Sequence, residues 1–295
     1  MSLPRILLVG KNGQVGWELR RALAPMAQLE SVDFPEIDLA NPDSIRQWVR
    51  TTRPQVVINA AAYTAVDKAE TDSDLVMKIN GAAPGILAQE AREAGALLVH
   101  YSTDYVFDGA KTGPYVETDA PNPLSAYGRS KLAGDLAVQA IGGAYLIFRL
   151  SWVYGARGQN FMLTMLRLAR QRKQLRVVND QMGAPTWSRF IAQATALALC
   201  QVAAQPDPAA FSGVYHLAAS GLTSWHAFAE QIVQLMPPEA RVCLEVQAIS
   251  TAEYPTAAKR PLNSAMSCAK LERAFRLRLP PWNEGLRLVL EDANP

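Results

Sequence analysis

Tyr127 and Lys131 stand four residues apart in the run Tyr127-Gly128-Arg129-Ser130-Lys131, at the start of a helix-compatible stretch. In a helix this spacing puts a phenol and an ammonium on one face. A free phenol, with a pKa of about 10, is a poor proton donor near neutrality, and a neighbouring cation favours its ionised form. A phenol activated in this way can serve as a general acid toward a carbonyl oxygen. The same spacing also describes a core tyrosine beside a solvated lysine, so the pair gains chemical meaning only from its surroundings.

Those surroundings follow from the pattern of strands and helices that would position the pair. Ile6 to Val9 is a short apolar run of the kind that forms a strand buried on both faces. It ends in Gly10-Lys11-Asn12-Gly13-Gln14-Val15-Gly16 and continues into the helix-forming Trp17 to Leu23. Glycines spaced G-x-x-G-x-x-G between strand and helix allow a tight turn, close backbone approach to a pyrophosphate, and helix N-terminal amides facing the anion. The bare alternative is a tight strand-to-helix turn. Leu29 to Asp33 reads as a second strand ending in an acid, where such folds place a ribose-binding carboxylate, although Asp33 can equally cap a turn. An acid there favours the unphosphorylated ribose of NAD, whereas Lys11 can attract a 2′-phosphate, which leaves NADH and NADPH both open.

Asn41 to Ser44 reads as a loop and cap before a helix at Ile45 to Thr51. Val56 to Ala62 is a third buried strand running into small residues against which a flat ligand can lie. Leu97 to Asp104 is another strand, with hydroxyls and a carboxylate at the end where open α/β sheets bind ligands. Thr103 there can donate a hydrogen bond to a substrate oxygen, or be simply a β-branched strand residue. Ser125 is a candidate N-cap for the helix carrying Tyr127, and Tyr145 to Leu150 is one more strand.

This alternation predicts a doubly wound parallel α/β sheet of Rossmann type. Beyond about residue 155 the alternation loosens, which predicts a smaller C-terminal α/β substrate domain. Gly213 to Ala218 reads as a strand able to return to the main sheet, and the chain from Trp225 as helical with proline-rich connections. The expected division is a dinucleotide-binding part at 1–152 with 183–220, and a substrate-binding part at 153–182 and 221–295.

Composition narrows the function. With 49% hydrophobic and 19% charged residues, the 295-residue chain can bury a sizeable core. A formal net charge of +2, with Lys and Arg scattered, offers no footprint for nucleic acid. Cys200, Cys243 and Cys268 fit neither a disulfide framework nor a zinc site, and the N-terminal apolar run is too short for a signal peptide or membrane span. A cytoplasmic protein with no membrane partner is expected.

The ordered motifs carry a resemblance over nearly the whole chain. The glycine loop, Asn59-Ala60-Ala61-Ala62, Thr103 and the Tyr127/Lys131 pair occur in the order seen in extended short-chain dehydrogenases/reductases. Val66-Asp67-Lys68-Ala69-Glu70, His100 to Phe107, Ser151-Trp152-Val153-Tyr154, Asn179 to Thr186 and Arg260-Pro261-Leu262-Asn263-Ser264 narrow the likeness. With them the chain resembles the dTDP-4-dehydrorhamnose reductase family. The resemblance implies reduction of the C4 ketone of dTDP-4-dehydro-6-deoxy-L-mannose to dTDP-L-rhamnose by NADPH or NADH. It implies that Tyr127 protonates the C4 oxygen, that Lys131 lowers the Tyr127 pKa and holds the nicotinamide ribose, and that Thr103 hydrogen-bonds the developing alkoxide. Implied cofactor contacts are Gly10, Asn12, Gly13, Gln14, Val15, Gly16 and Asp33, then Asp38, Leu39, Ala60, Ala61, Ala62, Tyr63, Thr64 and Tyr101, with Tyr127 and Lys131. Asp104 and Trp152 match sugar-contacting positions, although a lone tryptophan is more often core packing.

One departure concerns magnesium, which some family members hold between subunits with glutamates. Glu18 and Glu291 match two of those positions but Arg189 stands at a third, so no metal is expected, and a homodimer is left open. Sugar-nucleotide dehydratases of this fold follow the threonine with Asp-Glu, whereas here Thr103-Asp104 precedes Tyr105. An epimerase shares the fold, the glycine loop and the Tyr127/Lys131 pair. The regulatory β-subunit of methionine adenosyltransferase also resembles this family, but Thr103, Tyr127 and Lys131 together favour catalysis.

Overall fold

Four consecutive apolar side chains, Ile6 to Val9, need cover on both sides, and the computed structural model, which describes residues 3–293, provides it. They lie in β1 (Arg5–Val9) with 2% exposure or less. Because side chains alternate across a strand, the run feeds two cores. Ile6 and Leu8 pack with Leu19 and Leu23 of α1 (Gln14–Leu23), while Leu7 and Val9 pack with Ile45 and Val49 of α2 (Pro42–Thr52).

The chain continues through β2 (Gln28–Val32), β3 (Val56–Asn59), α3 (Ser73–Val76), α4 (Ala83–Glu93), β4 (Leu97–Thr103), α5 (Ala126–Ile141) and β5 (Tyr145–Leu150). Next come β6 (Val153–Tyr154), α6 (Phe161–Ala169), β7 (Gln174–Val178), β8 (Met182–Gly183), β9 (Thr186–Trp187) and α7 (Ser188–Ala203). The last elements are β10 (Gly213–Leu217), β11 (Thr223–Ser224), α8 (Trp225–Leu235), β12 (Glu245–Ile249), α9 (Ala269–Phe275) and α10 (Trp282–Ala293). Six strands form one parallel sheet in the order β10-β5-β4-β3-β1-β2, as a doubly wound fold requires. Strand β10 does return to it, with Val214 opposite Ile147 of β5. The winding reverses between β1 and β3, so the glycine turn after β1 and the small residues after β3 open into one crevice.

A further core lies off the sheet, where Met162 and Leu166 of α6 meet Leu175 of β7, Phe228 and Ile232 of α8, and Leu286 and Val289 of α10. The tail from Trp225 is not helical throughout, because Glu245–Ile249 forms β12 and pairs in parallel with β7. Only Ile249 of that strand is fully buried, so its sequence carries no periodic signal. Helix α2 begins at Pro42 rather than Ile45, since Asn41 Oδ1 accepts from the Asp43 N–H at 3.0 Å and proline suits a first helical turn. The Ser44 hydroxyl turns back instead to accept from the Asp38 N–H at 3.0 Å. Among the described residues no helix is long and apolar enough to cross a membrane.

Helix α5 carries the Tyr127/Lys131 pair, and its start is fixed twice. Ser125 Oγ accepts from the Gly128 N–H at 3.1 Å, the capping role expected of it. Gly128 packs so closely on the turn after β4 that an added Cβ would lie 2.2 Å from the Tyr105 carbonyl oxygen. Ser125→Ala is expected to cost about 1 kcal/mol and to lower the melting temperature by about 2–4 °C in a thermal denaturation series. An unchanged midpoint would show that the cap does not hold this helix end.

Candidate active site

A cavity of about 630 Å³ opens at the C-terminal ends of β1, β3 and β4. Its first wall is the glycine turn, contributed by Gly10, Asn12, Gly13, Gln14 and Val15. Gly10 has φ +93°, and a Cβ there would lie 2.5 Å from the Ala61 N, so the turn and the segment after β3 touch backbone to backbone. At Gly16 a Cβ would meet the Gly10 carbonyl oxygen at 1.9 Å, which is why helix α1 can start directly against the turn. Asp33 also lines the cavity, with Oδ2 accepting from the Asn12 N–H at 2.9 Å. Lys11 is held by Glu36, at 2.5 and 2.8 Å to its two carboxylate oxygens. This cradle of close-packed backbone at the head of helix α1, with a carboxylate on its rim, fits a dinucleotide.

Ala60, Ala61, Ala62 and Thr64 form the second wall. They are held in place by Asn80, whose Oδ1 accepts from the Tyr63 N–H at 2.9 Å while its Nδ2 donates to the Tyr63 carbonyl at 3.0 Å. Nothing in the sequence distinguished Asn80 from any other polar residue in a helical stretch. Four expected cofactor residues lie off the lining. Gly16 serves the turn, Leu39 joins the core beneath α2, Asp38 accepts from the Ala40 N–H at 2.8 Å, and Tyr63 donates its hydroxyl to Asp72 at 2.7 Å.

The third wall brings together Tyr101, Thr103 and Asp104 from the end of β4 with Tyr127 and Lys131 from α5. The Thr103 hydroxyl donates to Asp104 Oδ1 at 3.0 Å, and Thr103 Oγ1 accepts from the Tyr105 N–H at 3.2 Å. Lys131, 2% exposed, donates from Nζ to the Tyr101 carbonyl at 2.6 Å. The expectation that Lys131 lowers the Tyr127 pKa is not met in the protein by itself. Burial pushes the phenol up to about 12; the Thr103 hydroxyl opposes this, and the Asp104 and Asp135 charges add to it. Lys131 is itself drawn down to about 8 by burial, its charge being directed at a carbonyl rather than at the phenol. Asp104 is pushed up to about 6, again mainly by burial, against hydrogen bonds that include Ser151 Oγ at 2.9 Å.

Trp152 closes the cavity with backbone φ +44°, its indole stacked on Trp225 with centroids 3.5 Å apart and planes within 3°. Its Nε1 donates to Ser264 Oγ at 3.1 Å, and a Cβ on Gly183 would lie 2.3 Å from the ring. Trp225, which the sequence presents only as the first residue of a helix, thus becomes a cavity wall.

Residues 4–294 match the sequence profile described as the RmlD substrate binding domain. Over 293 residues the chain is 48% identical to dTDP-4-dehydrorhamnose reductase of Burkholderia thailandensis, with 98% of each chain covered. The chain belongs to the dTDP-4-dehydrorhamnose reductase family. Identity to the Escherichia coli K12 member is 45%, with 97% of each chain covered. The crystal structure of the Bacillus anthracis dTDP-4-dehydrorhamnose reductase in complex with NADP superposes with a TM-score of 0.90 at 34% identity, covering 99% of this chain and 100% of that one.

The Glu18 carboxylate is paired with a guanidinium. Arg189 Nε donates to Glu18 Oε2 at 3.2 Å and its Nη1 pairs with Asp292, while Glu291 is engaged by Arg287 at 2.5 Å. A divalent ion there would meet a guanidinium.

The Asp104 carboxyl gives a test of this electrostatic picture. A carboxyl raised from 3.8 to about 6 by folding destabilises the protein above pH 6, and the penalty fades as pH falls from 6 toward 4. Asp104→Asn is therefore expected to raise the unfolding free energy by about 2–3 kcal/mol at pH 7.5 and by almost nothing near pH 4. Urea titrations at the two pH values measure this, and an equal gain at both would contradict it.

Proposed function

We propose that this chain reduces the C4 ketone of dTDP-4-dehydro-6-deoxy-L-mannose to dTDP-L-rhamnose with NADPH or NADH, the last step of dTDP-rhamnose synthesis. The observation that carries this reading is the meeting of Thr103, Tyr127 and Lys131 on the cavity walled by the glycine turn. When bound, the nicotinamide supplies a hydride to C4. Gly10, Asn12, Gly13 and the Ala60–Ala62 segment would hold the dinucleotide, with Asp33 at the adenosine ribose and Lys131 at the nicotinamide ribose. Tyr127, protonated at neutral pH, gives its proton to the C4 oxygen, and the Thr103 hydroxyl hydrogen-bonds that oxygen as charge develops on it. Asp104 and Trp152 contact the sugar.

Reduction is favoured over elimination because the residue after Asp104 is Tyr105, a phenol raised by burial, rather than a second carboxyl. We assign residues 1–152 with 183–220 to the cofactor and 153–182 with 221–295 to the dTDP-sugar. The separate core around α6, α8 and α10, with Trp225 reaching the cavity from the head of α8, supports that division. A cytoplasmic setting agrees with three free cysteines.

The test is stoichiometric NAD(P)H oxidation with the 4-keto-sugar nucleotide generated in situ, and identification of the product. Tyr127→Phe is expected to lower kcat by roughly 10²–10⁴-fold while the NADPH dissociation constant stays within about threefold. An undiminished rate would refute the role of Tyr127. Turnover of the sugar nucleotide without added NAD(P)H would favour an epimerase.

A further inference from the structure

Behind the catalytic face of α5 lies a charged cluster that the chemistry above does not use. Asp135, one helical turn beyond Lys131, is 0% exposed, and His100 and Arg149 are 0% and 3% exposed. Asp135 Oδ2 accepts from Arg149 Nε at 3.2 Å. Asp135 Oδ1 lies 4.0 Å from His100 Nε2 and has no hydrogen-bond partner, and neither do the buried Arg149 Nη1 and Ser102 Oγ. His100 in turn reaches the site, its Nε2 standing 3.4 Å from Lys131 Nζ.

The state of the His100 ring follows from its other side. Asn59 Oδ1 accepts from the Ala61 N–H at 3.2 Å, so Asn59 Nδ2 is left to donate to His100 Nδ1, also at 3.2 Å. Burial, then the Lys131 charge, keeps the ring neutral, and with Nδ1 accepting, its proton sits on Nε2. An N–H cannot accept from an ammonium, so the ring does not neutralise Lys131. It points its proton into the space shared with Asp135. The cluster then holds two cations, Lys131 and Arg149, beside one carboxyl, which burial raises and the Arg149 and Lys131 charges draw back toward its ionised form, and a buried ammonium without a counter-charge sheds its proton.

We propose that Asp135 is a positioning residue for the reduction: braced by Arg149 and flanked by His100, it keeps Lys131 an ammonium and so keeps its hydrogen bond to Tyr101 and its place at the cavity. This rests on the assignment of Lys131 to the cofactor side of the site. The groups facing Lys131 are Tyr127 and Asp135 from α5 and His100 with the Tyr101 carbonyl from β4. Those facing Asp135 are Arg149 from β5, Ser102 and His100 from β4, and Lys131. Burial draws Lys131 down to about 8 and Asp135 holds it up. Removing the Asp135 charge therefore lowers the lysine pKa further, and a rate that needs the ammonium is then lost at lower pH.

Asp135→Asn, nearly isosteric, is tested by kcat/KM against pH and by fluorescence titration of NADPH binding against pH. The alkaline limb of both profiles is expected to move down by roughly one pH unit or more, with Asp135→Glu restoring it toward the parent. A folded Asp135→Asn with an unmoved limb, or with a loss uniform across pH, overturns the proposal. If that variant does not fold, the ¹³Cε resonance of Lys131 in the parent, assigned by its loss in Lys131→Arg, decides the matter. A lysine already neutral below about pH 7 overturns the proposal, and one still charged there supports it. Absence of any sugar-nucleotide reduction by the parent would remove the proposed function, yet the NADPH-binding profile would still test Asp135.

Discussion

A buried ammonium is the constraint on which this site is built. Lys131 is 2% exposed, and a lysine taken from its ordinary pKa to about 8 has lost roughly 3 kcal/mol of preference for its charged form. What keeps it charged at neutral pH is fixed geometry: a carbonyl at 2.6 Å from β4, and the Asp135 carboxylate one turn along its own helix. The bond to the Tyr101 carbonyl crosses from α5 to β4, so the helix that presents Tyr127 is tied to the strand that presents Thr103. The Ser125 cap and the close contact of Gly128 with Tyr105 fix the same helix at its first turn.

The sheet supplies the other half of the site by topology. Winding reverses between β1 and β3, and the crevice left there is lined on both sides by residues with little or no side chain. Gly10 and Ala61 are in contact, which leaves no room for a bulkier turn. Asn80 then pins the Tyr63 backbone from behind, so the wall formed by Ala60 to Thr64 is held by hydrogen bonds as well as by packing.

Burial is the common cause of the perturbed groups on the third wall. Tyr127 and Asp104 rise and Lys131 falls, each toward its neutral form. A phenol at about 12 holds its proton at neutral pH but is a weaker acid than a free phenol, so it gives the proton up only to a strong base such as the alkoxide as it forms. The pairing of Arg189 with Glu18 and Asp292 joins α1, α7 and α10, and none of the three residues lines the cavity.

The sequence by itself determined the features that depend on neighbours along the chain. Buried strands showed as continuous apolar runs, the glycine turn as spacing between a strand and a helix, the start of α5 as a serine before a helix former, and the Tyr127/Lys131 pair as one face of that helix. Strand β12 escaped because a strand with only one fully buried residue writes no period into its sequence. Tertiary structure alone decided the rest: that Trp225 stacks on Trp152, that Asn80 holds the second wall, that Asp38 and Tyr63 bond Ala40 and Asp72 while Leu39 joins a core, and that Asp135, His100 and Arg149 converge behind Lys131. It also decided the direction of the Tyr127 shift. Helical spacing brings a cation near the phenol, but the balance between that charge and the loss of water is set by every element packed around them, and the elements packed there come from distant parts of the chain.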